Sequence, residues 1–132
     1  MPDTLAAIAP VAGVPFYYGR CQPVDPVSVI HIHGLKDRDV PYGGAGLPGY
    51  GQQLPPAAYG IAAWAKFDGC TESPLVETRG EMTHTTYASC RAGTAIELYK
   101  IAGLGHAWPE PSEERIDASR IIWRFFDAHP KP

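Results

Sequence analysis

From Val27 to Gly34 the chain reads Val-Ser-Val-Ile-His-Ile-His-Gly, almost wholly apolar or β-branched and preceded by Pro23 and Pro26. An apolar run of this length without alternation predicts a strand buried on both faces. It breaks at Gly34 into a sharp exit loop that carries Asp37 and then Val40-Pro41. Upstream, Leu5 to Ala12 predicts a short strand: Pro10 argues against a helix interior and Gly13-Val14-Pro15 stops the element. Phe16, Tyr17 and Tyr18 follow in a loop, where they either line a cleft or pack partly into the core. Gly43 to Pro56 is rich in glycine and proline and predicts irregular structure.

The period then becomes helical. From Pro55 or Pro56 to Asp68, Ile61, Trp64, Ala65 and Asp68 share a face, proline suits the first turn, and Gly69 ends the helix. Trp64 on that face reads as packing. Leu75–Thr78, Met82–Ser89 and Ala95–Ala102 are rich in Thr, Tyr, Val and Ile, with turns at Arg79-Gly80 and Arg91-Ala92-Gly93. They predict antiparallel strands leading into a final strand parallel to the first, with a right-handed strand-helix-strand crossover. Asp117 to His129, with Ile121, Ile122, Phe125 and Phe126 on one stripe, predicts an amphipathic helix covering the sheet. The fold class is α/β, and residues 1–132 form a single domain.

Composition narrows the function. The chain has 132 residues, 45% of them hydrophobic, enough for one core. A net charge of −3 without a basic patch argues against nucleic acid as a partner. No apolar run reaches the roughly 18 to 20 residues that span a bilayer, so no membrane segment is expected. Met1-Pro2-Asp3-Thr4 lacks the basic start of a secretory signal.

Two loops carry the candidate chemistry. Asp37 leaves one strand end, and His106, in Gly103-Leu104-Gly105-His106-Ala107-Trp108-Pro109, leaves another. Open α/β sheets keep their chemistry at such ends. An acid there can fix the tautomer of an imidazole that moves protons as general base and then acid. Asp39 is the lesser alternative for the acid. His31 and His33, at i and i+2 on a strand, share a face as metal ligands would. A binuclear HxHxDH pattern needs Asp at 35 and His at 36, where the chain has Leu35 and Lys36, so both histidines are read as core or supporting residues. No metal and no cofactor is expected.

The string His33-Gly34-Leu35-Lys36-Asp37-Arg38-Asp39-Val40-Pro41-Tyr42 resembles the HGxxDxxVPY acid loop of α/β-hydrolase esterases, and residues 103–109 resemble their GxGHxWP histidine loop. The nearest resemblance is to the secreted esterases that include polyhydroxybutyrate depolymerases and feruloyl and acetylxylan esterases. Ile8-Ala9-Pro10-Val11-Ala12-Gly13 and the pair Cys70 and Cys90 fit the same family. The resemblance implies the C-terminal half of an α/β-hydrolase fold: a partial, mostly parallel sheet with flanking helices and an added antiparallel hairpin. It also implies Asp37 as triad acid, His106 as triad histidine, and an ester, small or polymer-derived, as substrate. Trp108 either walls the substrate pocket or simply packs, and Tyr42 is similar.

The family's serine stands on a GxSxG elbow. None of Ser28, Ser73, Ser89, Ser112 and Ser119 has glycine two residues away on both sides. Little esterase activity is therefore expected of the chain alone, with Ser28 or Ser112 as remote stand-ins and water activated by His106 as the other route. The strand near Ile8 to Val11 is expected at an exposed sheet edge, open to a complementing N-terminal half or to a second copy. A non-catalytic binding or assembly module is the alternative function. Cys70 and Cys90 flank a turn and hairpin, and a disulfide between them implies an oxidising, extracellular location; two buried thiols in a cytosolic protein are the alternative. Cys21 is left free or without its partner.

Overall fold

A computed structural model describes residues 4–13, 24–46, 53–113 and 115–131. Phe16, Tyr17, Tyr18 and Cys21 lie outside the described residues.

Among the described residues the main sheet has five strands: β1 (Ala7–Ile8), β2 (Ser28–Gly34), β5 (Leu75–Arg79), β6 (Met82–Tyr87) and β7 (Ile96–Ile101). Their order is β1-β2-β7-β6-β5. β1 with β2 and β2 with β7 are parallel; β7 with β6 and β6 with β5 are antiparallel. The sheet is therefore mixed: β1, β2 and β7 run parallel, and β5 and β6 add the expected antiparallel hairpin. The helix after β2 carries the chain out to the far edge at β5, and two antiparallel steps bring it back to β7. A second ladder, β3 (Ala45–Gly46) with β4 (Gln53–Leu54), gives part of the Gly/Pro-rich stretch regular pairing that its composition did not suggest.

β2 is the axis of the molecule, buried at every residue between β1 and β7. The register Val29↔Ile96 and His31↔Leu98 puts those residues on one face, and Ile32↔Tyr99 lies on the other. Helix α1 (Ala57–Phe67) lays Ile61 and Ala65 on Val29, Ile96 and Leu98. Helix α2 (Ala118–Ala128) covers the opposite face, where Ile32, Ile101, Leu104, Ile116 and Ala118 form the second core cluster. Asp117 caps α2 by accepting from the Arg120 N–H at 3.0 Å. The apolar stripe of α2 is narrower than its spacing suggests: Phe125 is buried, Ile121 and Ile122 are half-buried, and Phe126 is exposed, as is Trp123. Adjacent helical positions point about 100° apart, so Phe125 and Phe126 cannot both face the sheet squarely.

β1 is shorter than the expected strand because Pro10 lacks an N–H. The edge still continues: the Pro10 carbonyl accepts from the Ile32 N–H at 3.1 Å, and the Ala12 N–H donates to the Ile32 carbonyl at 2.9 Å. A disulfide joins Cys70, just past α1, to Cys90, just past β6.

Candidate active site

Neighbouring parallel strands end side by side, and the loops leaving β2 and β7 are bonded to each other. The Leu35 N–H donates to the Ile101 carbonyl at 2.9 Å, and the Lys36 N–H to the Leu104 carbonyl at 2.9 Å. Glycine at 34 permits this approach. A Cβ there would collide with the Leu104 carbonyl and lie 2.6 Å from the Gly105 carbonyl oxygen. Gly103 has a similar reason: a Cβ would collide with the Glu81 carboxylate. Glu81, at the β5–β6 turn, accepts from Arg115 Nε at 2.9 Å, and its carbonyl accepts the Ala102 N–H at 2.9 Å. The hairpin turn thus braces both ends of the histidine loop.

Asp37 and His106, 69 residues apart, meet across these loops. His106 Nδ1 lies 2.9 Å from Asp37 Oδ2. The other carboxylate oxygen, Oδ1, accepts from the Asp39 N–H at 3.0 Å and the Val40 N–H at 2.8 Å. Burial alone would raise the Asp37 pKa, but the hydrogen bonds from Val40, His106 and Asp39 outweigh it and hold the carboxyl below its ordinary value. The hydrogen bond that His106 donates to Asp37 raises the His106 pKa above 6.5, with a smaller contribution from the charges of Asp37 and Asp39. The Asp37 side chain is fully buried while that of His106 is 43% exposed. The arrangement is a sealed anion under an imidazole open to solvent, with the hydrogen on Nδ1 and Nε2 turned to whatever approaches. It can orient a ring, stabilise an imidazolium and pass a proton.

Asp39 is not the pairing acid: its backbone N–H serves Asp37 and its side chain is exposed. Tyr42 is half-buried, its ring edge-on to His33 at 5.6 Å and in contact with the core beneath α1. Its hydroxyl pKa is raised by burial and by Tyr87. Trp108, two residues beyond His106, is 48% exposed. His31 and His33 are both buried, and their rings face each other, Nε2 of His31 3.0 Å from Nδ1 of His33, rather than a common outside point. Among the described residues one trio could hold a metal: Asp37, Asp39 and His106, with donor atoms within 4.8 Å of one another.

Ser28, considered as a stand-in nucleophile, lies at the wrong end of β2. Its hydroxyl accepts from the Ala95 N–H at 3.2 Å, on the order of 20 Å from Gly34 at about 3.3 Å per strand residue. A cavity of about 580 Å³ opens beside α1, between Gly43, Gly44, Pro56, Tyr59 and Ala63. Neither Asp37 nor His106 lines it, so the titratable pair and not the cavity marks the candidate site. Glu81 went unrecognised in the sequence; the glycine at 103, placed just past a strand end, was the available signal.

Fold and site define an α/β protein with an acid-histidine pair at neighbouring strand ends. No protein-family model matches the chain. It is similar to feruloyl esterase B of Piromyces equi, 33% identical over 115 residues that cover 81% of this chain and 21% of that protein. The chain thus spans about a fifth of that relative's length. The likeness supports an esterase relationship and a carboxylic ester hydrolase lineage.

Proposed function

We propose that this chain supplies the acid and histidine of a serine-type carboxylic ester hydrolase. The carrying observation is the 2.9 Å bond between the buried Asp37 and the exposed His106. In this reading Asp37 holds His106 in the Nδ1–H tautomer and stabilises the imidazolium. His106 Nε2 takes the proton from the nucleophile and returns it to the leaving alcohol. Trp108, exposed beside the histidine, walls the substrate site, and Tyr42 stiffens the acid loop from beneath. The similarity to a feruloyl esterase favours an aryl ester; hydroxyalkanoate esters are the other class suggested by the acid and histidine loops.

No serine of the chain stands in a GxSxG elbow, so the nucleophile and the oxyanion-hole amides come from a polypeptide segment outside these 132 residues. Among the described residues no strand pairs with the outer edge of β1, and that edge is the natural docking place for the segment. The Cys70–Cys90 disulfide favours an extracellular location, and no helix among the described residues is long and apolar enough to cross a membrane.

Hydrolysis of a p-nitrophenyl ester tests this reading. The pure chain is expected to show no serine-type turnover, because losing a triad member removes most of the rate. A GxSxG-bearing segment supplied in trans should produce turnover that disappears in His106→Ala. Turnover by the chain alone, abolished by His106→Ala and blocked by a serine-directed phosphonate, would contradict the placement of the nucleophile.

A further inference from the structure

His31 and His33 lie directly beneath the acid loop, 0% and 1% exposed, and the proton transfers proposed above use neither. Counting hydrogens fixes how they are joined. A carbonyl can only accept, so the 2.7 Å contact with the Val40 oxygen puts a hydrogen on His33 Nε2. The 3.0 Å contact between His31 Nε2 and His33 Nδ1 needs one hydrogen between them. If His33 held it, that ring would be a buried cation. A neutral His31 would then carry its own hydrogen on Nδ1, which has no hydrogen-bond partner among the described residues. If His31 holds it, both rings are neutral and the orphan is a bare lone pair, which a protein interior tolerates better than a stranded N–H. Burial, with His33 beside it, pushes the His31 pKa down to about 3, in keeping with a neutral ring. The Pro10 carbonyl opposes this weakly without reaching hydrogen-bond geometry.

We propose that His31 and His33 form a one-way donor chain, His31 to His33 to the Val40 carbonyl, that positions Asp37 for His106. The inference rests on the acid-histidine reading above. Its lever is Val40: His33 holds the carbonyl of this residue, and its N–H is bound by Asp37 Oδ1 at 2.8 Å. With both sides of Val40 fixed, the 37–40 turn has one conformation, and Oδ2 is left for His106. His33 Nε2 also lies 3.6 Å from Asp37 Oδ2, where its N–H dipole favours the carboxylate. Neither ring touches substrate; both are positioning residues.

Nitrogen NMR of labelled histidines in the intact chain reads the hydrogen count directly. At neutral pH both rings are expected to carry a single hydrogen, on Nε2. A His33 protonated on Nδ1, alone or together with Nε2, would overturn the chain. Two variants then read its purpose. His33→Phe fills the space and donates nothing, while His33→Gln can place an amide N–H near the Val40 carbonyl. His33→Phe should speed amide exchange of Asp39 and Val40 on the order of tenfold, as the loss of one net hydrogen bond implies. It should also lower the His106 pKa toward 6.5, and His33→Gln should largely restore both. A His106 pKa raised in the wild type and unchanged in His33→Phe overturns the positioning role and leaves the acid-histidine pair standing. A His106 pKa not raised in the wild type defeats the pair, and this inference with it. Should His33→Phe fail to fold, His31→Phe carries the same test by removing only the first donor: either His33 loses its single tautomer and His106 falls, or neither moves and the proposal is overturned.

Discussion

His31 gives the clearest case of a side chain whose charge state the fold dictates. Its pKa falls from 6.5 to about 3, chiefly through burial, so the native protein holds the neutral ring. The stability tied to that neutrality is fully present above pH 6.5 and is lost as the pH falls from 6.5 toward about 3, where the unfolded chain binds a proton the native chain refuses. Asp37, held below its ordinary 3.8, loses its contribution in the same direction at still lower pH. Asp68 acts in the opposite sense. Its carboxylate is buried, with no partner for Oδ2 among the described residues, and burial raises its pKa, so its contribution is present below 3.8 and lost as the pH rises through the raised value. The net expectation is a melting temperature that declines from pH 7 to pH 4 in calorimetric scans, with a shallower decline in His31→Gln. An equal decline in the variant would show that His31 does not carry the acid sensitivity.

Elements that repeat one period over many residues were legible in the sequence. The apolar run of β2, the spacing of Ile61 and Ala65 on α1 and the existence of α2 all match the structure, because each is a local consequence of period. The antiparallel run of β5 and β6 into a β7 parallel to β2 was legible too, but not which of these strands would stand at the edge. Two hairpin steps returning from the far edge to β7 depend on where α1 delivers the chain, which no local pattern states, and β5 consequently lies exposed at the sheet edge although its residues read like any strand. This outer hairpin is tied back by the Cys70–Cys90 disulfide, whose sequence separation is 20. Closing a loop of that size stabilises by about 3 kcal/mol in the chain-entropy model. Cys90→Ala should lower the free energy of urea unfolding by roughly that amount. A change under about 0.5 kcal/mol, the range of ordinary surface substitutions, would mean the bridge does not form or does not matter.

At the scale of the whole molecule, the fold's consequence is to bring residues 37 and 106 into one hydrogen bond. The two loops could be recognised separately in the sequence, whereas the bracing around them could not. The Gly34 approach and the Glu81–Arg115 brace join segments far apart in the chain and leave no periodic trace; the donor chain beneath Asp37 is local, but it depends on where the hydrogens sit, which no residue pattern states. Every role proposed for the site depends on that pairing. The direct measurement is the pKa of His106 by NMR titration in the intact chain and in Asp37→Asn. The pairing predicts a value above 6.5 in the wild type that falls back in the variant. A His106 that titrates at its ordinary value, and titrates identically with Asn at position 37, would contradict it.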